Sequence, residues 1–199
     1  MGRSHITPIH QPDDTTCGPS ALKLAMEIFG KHKSLDTLID LCKTNSSGTT
    51  TPNLIAAANK LGYSVLAVEY ATLHHLQGAL KYPPNRPRAA LVTYLYDLDE
   101  KEHPHPDSGH WAVVSSYSAR KSRIVLLDSV TAKKKSYQWE AFRERWMDFD
   151  LKRKKIKKRG KKYKMIRRWQ QQPLIILAKV PSDLPKFKIS TAKYFPSNL

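Results

Sequence analysis

Cysteine is scarce in this sequence, and its scarcity excludes two classes of protein. The chain has 199 residues but only two cysteines, Cys17 and Cys42. Two cysteines cannot build the disulfide framework of a small secreted domain, and their spacing matches no zinc motif. We therefore expect reduced thiols, no metal site and no cofactor.

Long apolar runs are also lacking. The longest, IVLL and LIILA, are far shorter than the roughly 18 residues that a membrane-spanning helix needs. The N-terminal stretch MGRSHITPIHQPDD has none of the apolar character of a secretory signal peptide. These absences predict a cytoplasmic protein with no transmembrane segment, although signal-independent export stays open.

Acidic residues are few relative to basic ones, 17 against 34, so the net charge is +17. Twelve of the cations lie in Leu151–Arg168, which contains no acid, and subtracting twelve from +17 leaves only +5 for the rest of the chain. Such a block predicts a solvated loop or an extended helix. An anionic partner for Lys152–Arg168 is the alternative: nucleic acid, an anionic membrane or an acidic protein.

The order of the predicted elements indicates an α+β protein. Three amphipathic segments at helical spacing come first, the second capped by Ser34 and the third by Thr51. Segments rich in β-branched and aromatic residues follow without regular βαβ alternation, which favours a mostly antiparallel sheet. SYQWEAFRERWMDFDL is expected to be helical. We expect one domain over 1–199, with a basic insert at about 151–168 and a C-terminal surface tail at about 181–199.

Three residues in separate segments could together carry chemistry. Cys17 begins the first predicted helix, whose dipole and unpaired N–H groups would stabilise a thiolate, although a buried inert thiol fits that position equally well. His110 opens a predicted strand in SGHWAVV, and Asp128 ends the next one. Adjacent antiparallel strands would place the carboxylate beside the imidazole, where it orients the ring. This combination predicts a nucleophile, a base and an orienting group.

The histidines that precede His110 suggest a metal site only at first sight. In EKEHPHPDSGH, His103 and His105 are each followed by proline, which predicts an extended loop rather than rigid ligands. We expect this loop to form a rim or lid over a cleft. Cys42 is expected in the core.

Five segments, in order, carry a resemblance to a known family: QPDDTTCGPSAL, GTTTPNLIAAANKLG, GHWAVVSSY, VLLDS and YQWEAFRERW. They resemble the papain-like cysteine peptidases that remove double-glycine leaders from bacteriocin precursors. The resemblance implies a papain-like fold with Cys17 as nucleophile, His110 as general base and then acid, and Asp128 as the orienting residue. It also implies that Gln11 donates to the oxyanion together with the Cys17 N–H. Without this resemblance, we would expect Gln11 to be a polar residue in a solvated turn.

The resemblance implies a thiol hydrolase that cleaves a peptide or isopeptide bond in a peptide or protein substrate. The sequence has no Gly-rich nucleotide-binding loop, so we expect a stand-alone form. Two alternatives stay open. The same groups could transfer the acyl group to an amine, as in a transglutaminase- or acyltransferase-type toxin or effector. The chain could also be a vestigial module that binds nucleic acid or acidic partners through its basic segment.

Overall fold

The computed structural model describes residues 6–158 and 161–197, without the side chains of residues 156–162. The start of the N-terminal stretch, the tip of the basic segment and the last two residues of the expected tail lie outside the described residues. No helix in the described ranges is long and apolar enough to cross a membrane.

Helices come first in the chain and strands mostly later, as the sequence predicts. The elements in chain order are α1 (Cys17–Ile28), α2 (Leu35–Leu41), α3 (Thr51–Lys60), β1 (Ser64–Val68), α4 (Leu73–Leu80), β2 (Arg88–Leu95), β3 (Gly109–Ser118), β4 (Arg123–Asp128), β5 (Lys133–Gln138), α5 (Trp139–Arg145), β6 (Met147–Lys158), β7 (Lys161–Gln171), β8 (Leu174–Ala178), a short 3-10 helix (Pro181–Asp183) and β9 (Lys193–Phe195).

Local capping explains where the early helices begin. The Ser34 hydroxyl oxygen accepts a hydrogen bond from the Thr37 N–H at the start of α2, as expected from the sequence. Helix α3 begins one residue earlier than expected, because Thr50 is its N-cap and Thr51 is already helical. Pro52 lies in the first turn, where its missing N–H costs nothing.

Seven strands form one antiparallel sheet in the order β5-β4-β3-β2-β8-β1-β9. Alternation along the strands gives the sheet two apolar faces. Leu91 and Val113 pack with α1 and α3 on one face, whereas Val92 packs with α4 and α5 on the other. Phe142 and Trp146 are fully buried on that second face. The architecture is α+β, as the sequence predicts, with α1 packed against the sheet beside β3.

Two expectations for the region after α4 are wrong. The segment SYQWEAFRERWMDFDL is not one helix, because α5 ends at Arg145 and Met147 already begins β6. The basic segment is neither a loop nor a helix but a two-stranded antiparallel hairpin of β6 and β7. Its pairing places Arg153 opposite Met165 and Lys155 opposite Tyr163, so that several cations face apolar partners rather than other cations.

The C-terminal segment also differs from the expected surface tail. Residues Lys193–Phe195 form β9, which pairs with β1 at the edge of the main sheet. Strand β5 was not expected either, because its residues KKKSYQ lack the apolar alternation that marks a strand.

Candidate active site

Cys17 is the first residue of α1 and is buried, with 5% of its surface exposed. The first N–H groups of a helix have no intrahelical partner, so those of Cys17 and Gly18 remain for a ligand. A Cβ on Gly18 would lie 2.6 Å from Cβ of Thr49. The loop before α3 therefore approaches the backbone of Gly18 closely.

The structure brings His110 and Asp128 together, as the predicted strand pairing implies. Strands β3 and β4 are antiparallel with Val113 opposite Leu127, which makes His110 and Asp128 diagonal neighbours. Nε2 of His110 lies 3.3 Å from Oδ1 of Asp128. The contact is an ion pair without the alignment of a hydrogen bond. Both side chains are buried.

Several hydrogen-bond donors surround the carboxylate of Asp128. Its Oδ2 accepts from the Thr131 hydroxyl at 2.6 Å and from the Tyr96 hydroxyl at 3.2 Å, while the N–H of Val130 donates to Oδ1 at 3.2 Å. Burial alone would raise the pKa of Asp128, but His110 and the Thr131 hydroxyl outweigh it and hold the pKa well below its usual range. Asp128 is therefore a stable anion.

Cys17 and Asp128 together set the protonation of His110. Burial by itself would lower the pKa of His110, but Asp128 and the Cys17 sulfur outweigh burial and raise that pKa to about 9. Because Nε2 faces Asp128, Nδ1 is the ring nitrogen left for the Cys17 sulfur. The arrangement favours an imidazolium next to the thiol at neutral pH.

Tyr96 is a site residue that the sequence analysis missed. Besides bonding Asp128, its ring lies 4.9 Å from the His110 ring, and Nζ of Lys135 sits 3.6 Å above its centroid. The available signal was the two-residue spacing of Tyr94, on β2, and Tyr96, directly after that strand. It becomes informative only once Tyr94 is known to lie opposite His110.

Gln11 is buried and does not belong to a solvated turn. Its backbone N–H donates to the Ser129 carbonyl at 2.8 Å, and its Oε1 accepts from the Ser129 hydroxyl at 2.7 Å. Its Nε2 donates to the Asp13 carbonyl at 2.8 Å. Gln11 is thereby tied to the residue that follows Asp128, and the end of β4 positions both.

A cavity of about 420 Å³ opens beside Cys17 and is lined by Gly109, Trp111 and Asp148 among others. The carboxyl group of Asp148 packs so closely on Gly109 that a Cβ there would lie 2.8 Å from its Cγ. Burial, reinforced by the Asp150 charge, raises the pKa of Asp148 to about 7. Asp148 is a second site residue that the sequence analysis missed, because it was assigned to a helix.

The histidine-rich loop before β3 borders this cavity through Asp107, which forms an ion pair with Arg167 at 2.5 Å. The expected rim is therefore present. Within the described residues, no group of three acidic, histidine or cysteine side chains could hold a metal ion. Cys42 lies in the core, where burial raises its pKa to about 12.

A thiol at a helix N-terminus beside a buried imidazole–carboxylate pair is the arrangement typical of a cysteine peptidase. The model of the Peptidase C39 family matches residues 5–158. The chain belongs to this family.

Solved structures with the same fold come from peptidase domains of transporters. The peptidase domain of Streptococcus ComA, a bifunctional ABC transporter of a quorum-sensing pathway, has a TM-score of 0.62 at 20% identity, over 87% of this chain and 98% of that one. A double glycine motif protease from an AMS/PCAT transporter, solved with its leader peptide, has a TM-score of 0.58 at 13% identity, over 89% and 94% of the two chains.

A sequence relative is the mesentericin-Y105 transport/processing ATP-binding protein MesD of Leuconostoc mesenteroides. It is 33% identical over 69 residues, which is 35% of this chain. The matched segment spans only 10% of that protein's length.

Proposed function

We propose that Cys17, His110, Asp128 and Gln11 form the catalytic site of this cysteine peptidase and that it hydrolyses a peptide or isopeptide bond. The observation that carries the proposal is the placement of His110, whose Nε2 lies 3.3 Å from the Asp128 carboxylate and whose ring also interacts with the Cys17 sulfur. A charged imidazole between a thiol and a buried anion is the arrangement that activates a cysteine nucleophile.

The reaction would proceed through an acyl-enzyme. The Cys17 thiolate attacks the carbonyl carbon, and the His110 imidazolium gives its proton to the amine nitrogen as the C–N bond breaks. Neutral His110 then takes a proton from water, whose oxygen attacks the thioester and releases the acid and the thiolate. Asp128 stays ionised throughout and keeps the ring oriented.

Two donors would stabilise the oxygen that gains charge in the first step. One is the backbone N–H of Cys17 at the start of α1, and the other is the carboxamide of Gln11, which has a second N–H besides the one that bonds Asp13. A donor of this kind contributes about 3 kcal/mol to transition-state stabilisation. The bond between Gln11 and Ser129 would hold the carboxamide in place.

The substrate we propose is a peptide or protein segment that occupies the cleft beside Cys17. A protease with the same fold was solved in complex with a leader peptide, and its name describes a double glycine motif. We extend the peptide class of substrate to this chain. The small residues of the loop that lines the cleft, such as Ser47, Gly48 and Thr49, leave room for a backbone to approach.

Alkylation by iodoacetamide near neutral pH tests the proposal. Cys17 should react much faster than Cys42, whose pKa is raised to about 12, and His110→Ala should slow the reaction at Cys17. Equal, slow reaction of both thiols would indicate a vestigial site. Mass spectrometry of a peptide library incubated with the protein then separates hydrolysis from amine transfer.

Gln11→Ala separates the oxyanion role from a structural one. We expect Cys17 in this variant to alkylate at nearly the native rate, because iodoacetamide needs no oxyanion hole, while peptide cleavage falls by about a hundredfold. Gln11→Glu is the matched control, since it keeps the shape but loses the donor. Native cleavage by either variant would remove Gln11 from the site.

A further inference from the structure

Beyond its base, the hairpin of β6 and β7 is a ribbon with both faces open to solvent. At the base, Asp150 is buried and Phe149 borders the cavity beside Cys17. Further out, every side chain at 152–155 and 163–165 is exposed. Successive side chains of a strand point to opposite faces, so exposure without alternation means that neither face packs there against another part of the described chain.

Cations occupy both faces of this exposed ribbon. Residues that pair across two strands share a face. The first face carries two exposed cations beside two exposed apolar side chains: Arg153, Lys155, Tyr163 and Met165. The second face carries three exposed cations: Lys152, Lys154 and Lys164. The segment 151–168 contains twelve cations and no acid, so the ribbon has no countercharge of its own.

The register of the ribbon opposes two like charges. Lys154 lies directly opposite Lys164, a position in which like charges destabilise a β-ladder. Among the residues that the structure describes, neither lysine forms an ion pair with a carboxylate. A two-stranded ribbon that no other layer covers is also marginally stable in water. The arrangement costs folding free energy and indicates an anionic partner that neutralises both faces.

We propose that this ribbon binds double-stranded DNA by entering its major groove, an inference that does not depend on the proposed catalysis. The groove is about 12 Å wide and admits a two-stranded β-ribbon, whose strands lie about 4.8 Å apart. Phosphates line both walls of the groove, so long cationic side chains from either face of the ribbon would reach them. Met165 would meet the base edges, where thymine offers a methyl group.

The presence of cations on both faces distinguishes DNA from a flat partner. A membrane or an acidic protein surface would neutralise one face and leave the cations of the other in water. Duplex RNA fits less well, because its major groove is too deep and narrow for side chains to read. Single strands are held by several aromatic side chains on which bases stack, whereas the segment 152–165 has one aromatic residue, Tyr163.

Fluorescence anisotropy of the full chain with a short fluorescein-labelled DNA duplex, measured over a range of salt concentrations, tests the proposal. Arg153→Gln/Lys155→Gln removes two cations from the first face, and Lys152→Gln/Lys154→Gln removes two from the second. The comparison probes are duplex RNA and single-stranded DNA of equal length, polyglutamate, and vesicles that contain phosphatidylserine.

We expect each hairpin double variant to weaken binding of the DNA duplex by about tenfold or more at about 0.1 M salt. The slope of log K against log salt should become shallower by about two units in each variant, because each lost phosphate contact releases about one counterion fewer. Lys186→Gln/Lys188→Gln is the matched control, since it removes two exposed cations at the same spacing from the C-terminal segment. It should weaken binding by less than about twofold.

Four results would overturn the inference. Equal losses in the control and the hairpin variants would show that net charge alone attracts DNA. A loss confined to one hairpin variant would indicate a partner that contacts a single face. Single-stranded DNA or duplex RNA that bound as tightly as the DNA duplex would exclude recognition of the groove. Binding of vesicles or polyglutamate with losses in the hairpin variants, without binding of DNA, would assign the ribbon to a membrane or an acidic protein.

Discussion

The hydroxyl of Tyr96 donates to Oδ2 of Asp128 over 3.2 Å while the Tyr96 ring lies against His110. One side chain thus contacts both members of the imidazole–carboxylate pair from the residue directly after β2, the strand next to β3 in the sheet. Lys135 covers the outer side of the ring. We infer that Tyr96 is a positioning residue, since it fixes Asp128 and limits motion of the imidazole.

Tyr96→Phe should slow alkylation of Cys17 by about threefold, because one hydrogen bond to the orienting carboxylate is lost. Tyr94→Phe is the matched control, since Tyr94 also packs on His110 but its hydroxyl contacts Tyr137 instead. Melting temperatures of both variants should stay close to native. If the two variants slow alkylation equally, the hydroxyl of Tyr96 has no positioning role.

The raised pKa of His110 makes folding stability depend on pH. The folded-state pKa of about 9 exceeds the usual histidine pKa of 6.5, so the folded state binds the proton more tightly than the unfolded state. This stabilisation is full below about pH 6.5 and is lost as the pH rises through about 9, by up to about 3 kcal/mol. Urea denaturation across this range should show the loss in the native chain and not in His110→Gln. If the free energy of unfolding fell equally with pH in the native chain and in His110→Gln, the loss would not come from His110.

Asp148 should destabilise the fold when it ionises. Its folded pKa of about 7 lies above the usual aspartate pKa of 3.8, so its protonated form contributes stability that is lost as the pH rises from about 3.8 through about 7. Asp148→Asn should therefore be more stable than the native chain at about pH 8, by up to about 4 kcal/mol, and equal to it below about pH 3.8. The exposed Asp97→Asn serves as control and should show no difference. A variant that is less stable at alkaline pH would show that the Asp148 carboxylate is stabilising.

Gly18→Ala should displace the start of α1 from the loop before α3. The new Cβ would meet Cβ of Thr49 at 2.6 Å, and the Thr49 carbonyl is itself fixed by a 3.0 Å hydrogen bond from the Trp111 indole. We expect a loss of about 1–3 kcal/mol in the free energy of unfolding and slower alkylation of Cys17.

Gly78→Ala on α4 is the control for helix propensity and crowding. Its Cβ would meet only the ring edge of Phe187, at 2.9 Å, and a side chain can move aside more readily than a braced loop. Thermal unfolding of the two variants, with iodoacetamide rates, checks both expectations. Equal melting temperatures and rates for the two would show that the contact with Thr49 does not constrain the site.

Much of the fold could be predicted from local patterns. The Ser34 cap, the helix that begins at Cys17 and the apolar strands GHWAVVSSYS and LIILA each rest on residues close together in sequence. The pairing of His110 with Asp128 could be predicted because consecutive antiparallel strands are usually neighbours. Here β3 and β4 are indeed adjacent.

Other features depend on partners that are distant in sequence. The basic segment has the composition of a solvated loop, and its identity as a hairpin depends on pairing between β6 and β7. Tyr96 reaches Asp128 only because β2, β3 and β4 lie side by side in the sheet. Likewise, β9 joins β1 from the far end of the chain.

The sequence by itself determined that a thiol, an imidazole and a carboxylate stand at the ends of particular elements, because helix ends and strand ends are marked by nearby residues. Only the tertiary structure decided what surrounds them. Asp148 against Gly109, Gln11 bound to Ser129 and the hairpin wall beside Cys17 all arise from contacts between distant segments. Such contacts form only when the chain packs, and no local pattern encodes them.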